Sequence, residues 1–185
     1  ARGLGLNTMH TIGILCSDSS DAFLVYAVYY IEQALRKNGY ESFLCCTGYE
    51  LENKKNYLRL LLSKRVDAVI MVGSHYLEAN KADNDYIISA AEEVPVMMIN
   101  GYLNHPNIYC TLCDDYQAVY DTVARLAAHG RKRFAFLYRS DSNSSRTKMK
   151  GFKDGIAAAG LTLSEDSVKF CPNDILLTKN ILTEL

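Results

Sequence analysis

The sequence predicts a doubly wound α/β fold, in which helices cover both faces of a parallel sheet. Short apolar, β-branched runs alternate with segments of helical periodicity along the chain, and such alternation requires crossover connections between parallel strands. Gly39, Gly130 and Gly160 stand between a predicted helix and the next strand, which predicts a recurrent left-handed glycine cap at the end of each helix. Hydrophobic residues make up 49% and charged residues 22% of the chain, which is typical of globular domains.

The first half of the chain contains repeated strand and helix signals. Thr11–Cys16 (TIGILC) predicts a buried strand, because it is apolar and β-branched without alternation. Ala22–Lys37 predicts a helix, because apolar residues recur there at intervals of four. The further predicted strands are 42–47, 68–72, 96–99 and 107–112, and the helices between them are 53–64 and 83–92.

A break in this rhythm predicts a boundary between two lobes. The stretch 100–115 holds Gly101, Asn104, Pro106 and Asn107, which are turn and loop formers. We therefore expect an N-terminal lobe at 11–112 and a partial C-terminal lobe at 113–185. The elements predicted in the second lobe are helix 116–129, strand 134–138, helix 146–159, strand 167–171 and a helix opened by Asp174. Because two strands make a marginal sheet, we expect the chain to be a piece of something longer.

The charge balance and the cysteines exclude several classes of protein. Lys and Arg total 20 against 21 Asp and Glu, so the chain lacks the clustered positive charge of a nucleic-acid-binding surface. No apolar run reaches the roughly 18 residues of a membrane span, and the start of the chain is a poor signal peptide. The six cysteines lie mostly in strand-like runs. Because the chain also lacks the loop richness of a small disulfide-stapled secreted scaffold, we expect reduced, buried thiols in a cytoplasmic protein. Cys110-x-x-Cys113 is not expected to bind zinc, because two further ligands at matching spacing are missing.

The ends of the predicted strands are the places to look for a ligand, because open α/β sheets bind ligands beyond the carboxyl ends of their strands. The segment after the first strand, 17–23, contains no glycine, which excludes dinucleotide and P-loop phosphate motifs there. At least one of Asp18 and Asp21 is expected to cap the following helix. What remains is a polar segment ending in Phe23, which suits a hydroxyl-rich ligand.

Small polar side chains also follow other predicted strands. Ser74 follows the third strand, Asn100 follows the fourth, and a serine-rich loop, 139–145, follows the strand at 134–138. No G-x-S-x-G elbow places a serine on a strained turn, and no nucleophile–base pair stands out. The sequence therefore predicts a hydrogen-bonding pocket, with no catalytic residue, no metal site and no cofactor.

The predicted helix 22–37 is apolar nearly all round at its start. A helix that covers a sheet needs only one apolar stripe. Something else should therefore cover Tyr26, Tyr29 and Tyr30, and either a second helix or a symmetric dimer contact would do so.

Seven short motifs in order give the chain its resemblance to a known family. The first two are Ala1-Arg2-Gly3-Leu4, and Thr11-Ile12-Gly13-Ile14 taken together with Asp18-x-Ser20-Asp21-Ala22-Phe23. The other five are Arg65-Val66-Asp67-Ala68-Val69-Ile70, Pro95-Val96 through Asn100, Asp114-Asp115, His129-Gly130-Arg131-Lys132-Arg133-Phe134, and Lys148-Met149-Lys150-Gly151-Phe152. In this order and spacing, they resemble the lac repressor (LacI/GalR) family of bacterial transcription regulators.

The resemblance implies a type I periplasmic-binding-protein-like effector domain with two α/β lobes, the second incomplete here. It implies a small-molecule effector, most often a sugar or sugar phosphate, in the cleft between lobes. Carried over by position, the effector contacts are Asp21, Phe23, Ser74, Asn100, Ser142, Ser144 and Lys148. Lys148 stands where the family usually has Arg, which keeps the charge but loses the bidentate fork. Asp21 replaces Asn, and Asn100 replaces Asp.

The resemblance also implies an allosteric mechanism and a set of partners. Residues 1–10 would be the remnant of a hinge that feels the effector and alters operator affinity. We expect a homodimer without membrane contact, and operator DNA only as a partner of a helix-turn-helix headpiece preceding Ala1. The βα units that complete the second lobe would follow Leu185. The chain alone is therefore expected to bind no operator and to bind effector weakly at most.

Two other readings share the predicted fold. A secreted sugar-binding protein that feeds a transporter is disfavoured by the cysteines, the poor signal peptide and the hinge-like start. An enzyme of flavodoxin-like or Rossmann type is disfavoured by the glycine-free first turn and by the lack of paired catalytic groups.

Overall fold

A computed structural model describes residues 8–172 and 174–184. The strands are β1 (Thr11–Cys16), β2 (Glu41–Cys46), β3 (Ala68–Val72), β4 (Val96–Ile99), β5 (Ile108–Thr111), β6 (Phe136–Tyr138) and β7 (Val168–Phe170). The helices are α1 (Ala22–Lys37), α2 (Leu51–Ser63), α3 (Asp85–Ala91), α4 (Asp115–Ala128), α5 (Asn143–Ala158) and α6 (Ile175–Glu184). Short 3₁₀ turns occupy Ser74–Tyr76, Lys81–Asn84 and Glu165–Ser167.

The chain divides between Leu112 and Cys113 into two compact units. The first unit contains a five-stranded parallel sheet in the order β2-β1-β3-β4-β5. Since β2 and β3 flank β1 on opposite sides, the topological switch point of the sheet lies between β1 and β3. The prediction of an α/β fold with parallel sheets is confirmed.

The core of the first unit has one apolar layer on each face of the sheet. On one face, Ile14 and Cys16 of β1 pack with Leu24 and further apolar residues of α1. On the other face, Leu15 lies in a larger cluster with Leu58 of α2 and Ile87 of α3. Strands that are covered on both faces read as continuous apolar runs, which explains why TIGILC shows no alternation.

The second unit pairs β6 with β7 in parallel and packs α4 against α5. Its core joins Val123 of α4 to Phe152 and Ile156 of α5. The two helices approach closely at Gly151, where an added Cβ would lie 2.3 Å from the carbonyl oxygen of Tyr116. Glycine is therefore required at this crossing.

The three predicted glycine caps form as expected. Gly39, Gly130 and Gly160 have φ values of +77°, +82° and +67°, in the left-handed region that glycine adopts without a Cβ penalty. Their identical placement after α1, α4 and α5 ends each helix before the next strand.

Several predicted boundaries differ from those of the structure because side-chain caps set them. Helix α5 begins at Asn143 rather than 146, since the Ser142 hydroxyl accepts a hydrogen bond from the backbone of Ser145. Helix α3 is shorter than predicted, because Asn80 caps a 3₁₀ turn that occupies Lys81–Asn84. Residues 1–7 of the predicted hinge remnant lie outside the described residues, and 8–10 have no helix or strand. No helix within 8–172 and 174–184 is long and apolar enough to cross a membrane.

Candidate functional site

The carboxyl ends of the strands in the first unit gather polar side chains at one edge of the sheet. Because all five strands are parallel, the segments after β1, β2, β3 and β4 leave the sheet at this edge. We call it the first-unit surface and define it by residues 17–23, 47–50, 73–78 and 100–102.

Asp21 and Asp18 organise the loop after β1. The Asp21 carboxylate accepts hydrogen bonds from the amides of Phe23 (2.9 Å) and Leu24 (3.2 Å), and so caps α1. Asp18 accepts from both the amide and the hydroxyl of Ser20, at 2.8 and 2.7 Å. Asp21 is therefore the residue that caps α1. The cap holds its side chain at the start of the helix, with Oδ1 bonded to both amides.

Phe23 projects at the start of α1, and 61% of its surface is exposed. An exposed phenyl face next to hydrogen-bonding groups can stack on the apolar face of a ring-shaped ligand.

Ser74 and Asn100 both lie where the sequence placed them, at the ends of β3 and β4. Ser74 is buried and opens the 3₁₀ turn after β3. Asn100 is half-buried and has φ +61°, a left-handed conformation that asparagine tolerates better than most residues. The backbone N–H of Asn100 donates a hydrogen bond to the backbone carbonyl of Thr111 at 2.9 Å, which fixes the turn after β4.

Three further residues of the first-unit surface, Ser17, Tyr49 and His75, were not among the effector contacts predicted from the sequence. The Tyr49 hydroxyl donates to Asp18 at 3.2 Å, and its ring lies edge-on to that of His75, with centroids 4.7 Å apart. Ser17 is 3% exposed, and its hydroxyl oxygen is the one buried side-chain oxygen or nitrogen without a hydrogen bond among the described residues. Looking for side chains beyond the carboxyl end of the predicted strand 42–47 as well would have pointed to Tyr49.

An ion pair between the buried Lys54 and the partly buried Glu78 fixes part of this surface. The Lys54 side chain is only 4% exposed, and its ammonium group donates to Glu78 and to the carbonyl of His75, each at 2.6 Å. This pair ties α2 to the segment after β3. Burial, together with the Lys54 charge, lowers the pKa of His75 despite the opposing charges of Asp21 and Glu78. The imidazole is therefore biased toward its neutral form, which can both donate and accept a hydrogen bond.

The second unit has a comparable polar group at the start of α5, which we call the second-unit surface: Asp115, Ser142, Ser144 and Lys148. Ser142 is buried and caps α5, bonded to both the amide and the hydroxyl of Ser145 at 3.2 Å. Ser144 donates its hydroxyl proton to Asp115. The Lys148 ammonium lies 3.5 Å from the other oxygen of Asp115, and 45% of the side chain is exposed. Asp115, the first residue of α4, thus organises two of the predicted contacts.

The two surfaces offer hydroxyls, carboxylates, an amide, an ammonium and exposed aromatic rings. On each unit taken by itself, groups of these kinds are able to hydrogen-bond or stack with a polar small molecule. Among residues 8–172 and 174–184, no cluster of three or more His, Cys, Asp or Glu side chains could hold a metal ion.

Comparison with sequence families gives one match that covers most of the chain. The family described as periplasmic binding proteins and sugar binding domain of LacI family matches residues 9–185. An HTH-type transcriptional regulator of Lachnoclostridium phytofermentans is 64% identical over 185 residues, which is 100% of this chain and 56% of that protein. The HTH-type transcriptional repressor PurR of Haemophilus influenzae is 26% identical over 167 residues, 89% of this chain and 48% of the repressor. The chain thus spans about half the length of these relatives.

Solved structures share the fold. A LacI family transcriptional regulator from Lactobacillus casei with bound sucrose has a TM-score of 0.73 at 25% identity, over 86% of this chain and 57% of that chain. A structure of the same description with bound glucose has a TM-score of 0.72 at 25% identity, over 86% and 58%. An uncharacterised protein from Actinobacillus succinogenes, 22% identical, has a TM-score of 0.80 over 95% and 64%, and supports the fold alone.

Proposed function

Because this chain belongs to the family of periplasmic binding proteins and LacI-family sugar-binding domains, we propose that it is the effector-sensing and dimerisation part of a bacterial transcriptional regulator. The family match from residue 9 to 185 is the observation that carries the proposal. The 64% identity to an HTH-type regulator favours regulation over transport. In the intact protein, effector binding alters operator affinity through its different affinity for two conformations. The protein acts by binding, without catalysis, in the cytoplasm.

The proposed effector is a sugar or a sugar phosphate. Support comes from the regulators of similar fold that hold sucrose and glucose and from the polar groups of both surfaces. The proposed contacts are Asp21, Phe23, Ser74, Asn100, Ser142, Ser144 and Lys148, with Ser17, Tyr49 and His75 added from the geometry. Of these, Asp21 and Ser142 also cap helices, so they orient their neighbours as much as they bind.

Titration calorimetry on the natural full-length protein tests the effector site, with glucose, sucrose and glucose 6-phosphate as probes. Phe23→Ala should weaken binding of a neutral sugar at least fivefold and leave stability unchanged, because the ring is exposed. Tyr109→Ala is the matched control, since Tyr109 is an exposed ring within β5 rather than beyond its end. Equal affinities for the wild type and Phe23→Ala would contradict the proposed site, and a protein that binds no sugar would contradict the proposed ligand class.

A second copy of the chain covers the outer face of α1. That face presents Val25, Tyr26, Tyr29 and Tyr30, all exposed in the chain alone, and large aromatic residues are enriched at protein interfaces. Sedimentation at micromolar concentration should show a dimer for the wild type and a monomer for Tyr30→Glu. Ala124→Glu adds the same charge at an exposed position of α4 and should leave the dimer intact. A wild-type monomer would contradict the assignment.

The transport reading remains the second candidate, because the family description also covers periplasmic binding proteins. Sequencing the gene on both sides of this segment separates the two. A helix-turn-helix stretch before Ala1 supports regulation, whereas a signal peptide there contradicts it and makes transport the function.

A further inference from the structure

Asp67 binds the segment that leads into the first strand. This residue lies in the turn between α2 and β3, and its carboxylate accepts three hydrogen bonds from residues more than 50 positions earlier. The donors are the hydroxyl of Thr8 at 2.8 Å and the amides of Met9 and Thr11, both at 3.0 Å. An aspartate in a turn more commonly bonds to backbone groups two or three residues away. Here the side chain serves a distant segment instead.

Further bonds hold the same segment from both sides. The Asp67 amide donates to the carbonyl of Thr11, and the Glu41 amide donates to the carbonyl of His10, both at 2.8 Å. The Thr8 hydroxyl also accepts from the amide of His10 at 3.1 Å. Residues 8–10 are therefore fixed between the starts of β2 and β3, although they belong to no strand.

The backbone of His10 shows that this path is imposed by its surroundings. His10 has φ +50°, a conformation that costs energy for a residue with a Cβ and persists only where neighbouring structure holds it. Its ring lies against that of Tyr40, with centroids 5.5 Å apart. The carboxylate of Asp67 stays ionised to low pH, because the hydrogen bonds from Thr8, Met9 and Thr11 outweigh the effect of burial and lower its pKa.

We call the hydrogen bonds between Asp67 and residues 8–11 the Asp67 clamp, and it lies on the same pair of strands as part of the first-unit surface. β1 and β3 are paired neighbours, and their carboxyl ends lead to Ser17 and Ser74. Their amino ends carry Thr11 and Asp67. The hydrogen bonds of Asp67 and the first-unit surface therefore lie at opposite ends of the same pair of strands.

We propose that Asp67 is a positioning residue for operator binding, which fixes the direction in which the chain leaves the first unit toward its amino terminus. It contacts neither DNA nor effector and acts through residues 8–11. This assignment rests on the proposed regulatory function.

The test uses the natural full-length protein and a duplex selected by the wild type from random sequences. Asp67→Asn should increase hydrogen exchange of the Met9 and Thr11 amides at least tenfold, leave Ile14 in β1 protected, and weaken binding to the selected duplex at least fivefold. Thr8→Val, which removes the hydroxyl alone, should show the same changes to a smaller extent and serves if Asp67→Asn does not fold.

Asn84→Ala is the matched control, because it tests whether any loss of stability in the first unit weakens duplex binding. Asn84 is buried in the first unit and bonds to the amide and carbonyl of Glu78 and to the carbonyl of Asn80. Its loss should lower thermal stability and leave duplex affinity within twofold of wild type. Asp67→Asn with unchanged exchange or unchanged duplex affinity overturns the assignment. A wild-type protein that selects no duplex sequence overturns the regulatory function itself, and Asp67's role with it.

Discussion

Gly151→Ala tests whether the close approach of α4 and α5 determines the stability of the second unit. An added methyl group would lie 2.3 Å from the carbonyl oxygen of Tyr116 and 3.1 Å from its carbonyl carbon. These atoms belong to the backbone of α4, so no side chain can rotate away, and the helices must separate. Overpacking costs roughly 1–3 kcal/mol and occasionally more, whereas glycine to alanine within a helix gains about 1 kcal/mol in propensity. Because the overlap is severe, we expect a net loss of about 2 kcal/mol.

Gly155→Ala provides the graded comparison on the same helix. There the new methyl group would meet the Val123 side chain at 3.0 Å and the carbonyl oxygen of Tyr120 at 3.2 Å, contacts that small shifts can relieve. The gain in propensity should offset most of the cost, leaving a change within about 1 kcal/mol. Urea unfolding followed by circular dichroism at 222 nm measures both variants. Gly151→Ala as stable as the wild type, or less destabilised than Gly155→Ala, would refute the reasoning.

Three other perturbations follow from the same structure. Lys54→Met should lower the free energy of unfolding by about 2–3 kcal/mol, because it leaves the partly buried Glu78 carboxylate without its ionic partner. Urea unfolding measures the change, and a loss below about 0.5 kcal/mol would contradict a stabilising role for this ion pair. Because the pKa of His75 is lowered in the folded state, the unfolded chain binds more protons than the folded one between that lowered pKa and the ordinary histidine value of about 6.5. Stability should therefore fall as pH drops from 7 to 5, and His75→Gln should flatten that part of a thermal-denaturation series; an equal slope in both proteins would count against it. Ser142→Ala should cost about 1 kcal/mol through the lost cap of α5, whereas Ser142→Thr should stay near wild type in the same unfolding assay.

The sequence by itself determined the order and type of the elements. β1, α1, β3 and β4 begin and end where the pattern predicted, since their signals are local: continuous apolar runs for buried strands and a four-residue period for α1. The glycine caps after α1, α4 and α5 are equally local, because a glycine at the end of a helical pattern adopts the left-handed conformation without a Cβ penalty. Seven short motifs in order gave the resemblance to the LacI family, and the family match over residues 9–185 shows the membership.

Only the tertiary structure decided which distant groups meet. Tyr49, Asp18 and His75 come from the ends of three different strands, and only the strand order β2-β1-β3 makes them neighbours. The same order places Asp67 beside Thr8 and Met9. No periodicity carries this information, because pairing between remote strands depends on burial and register over the whole sheet. The sequence thus located the strand ends, while the fold determined which side chains there act together.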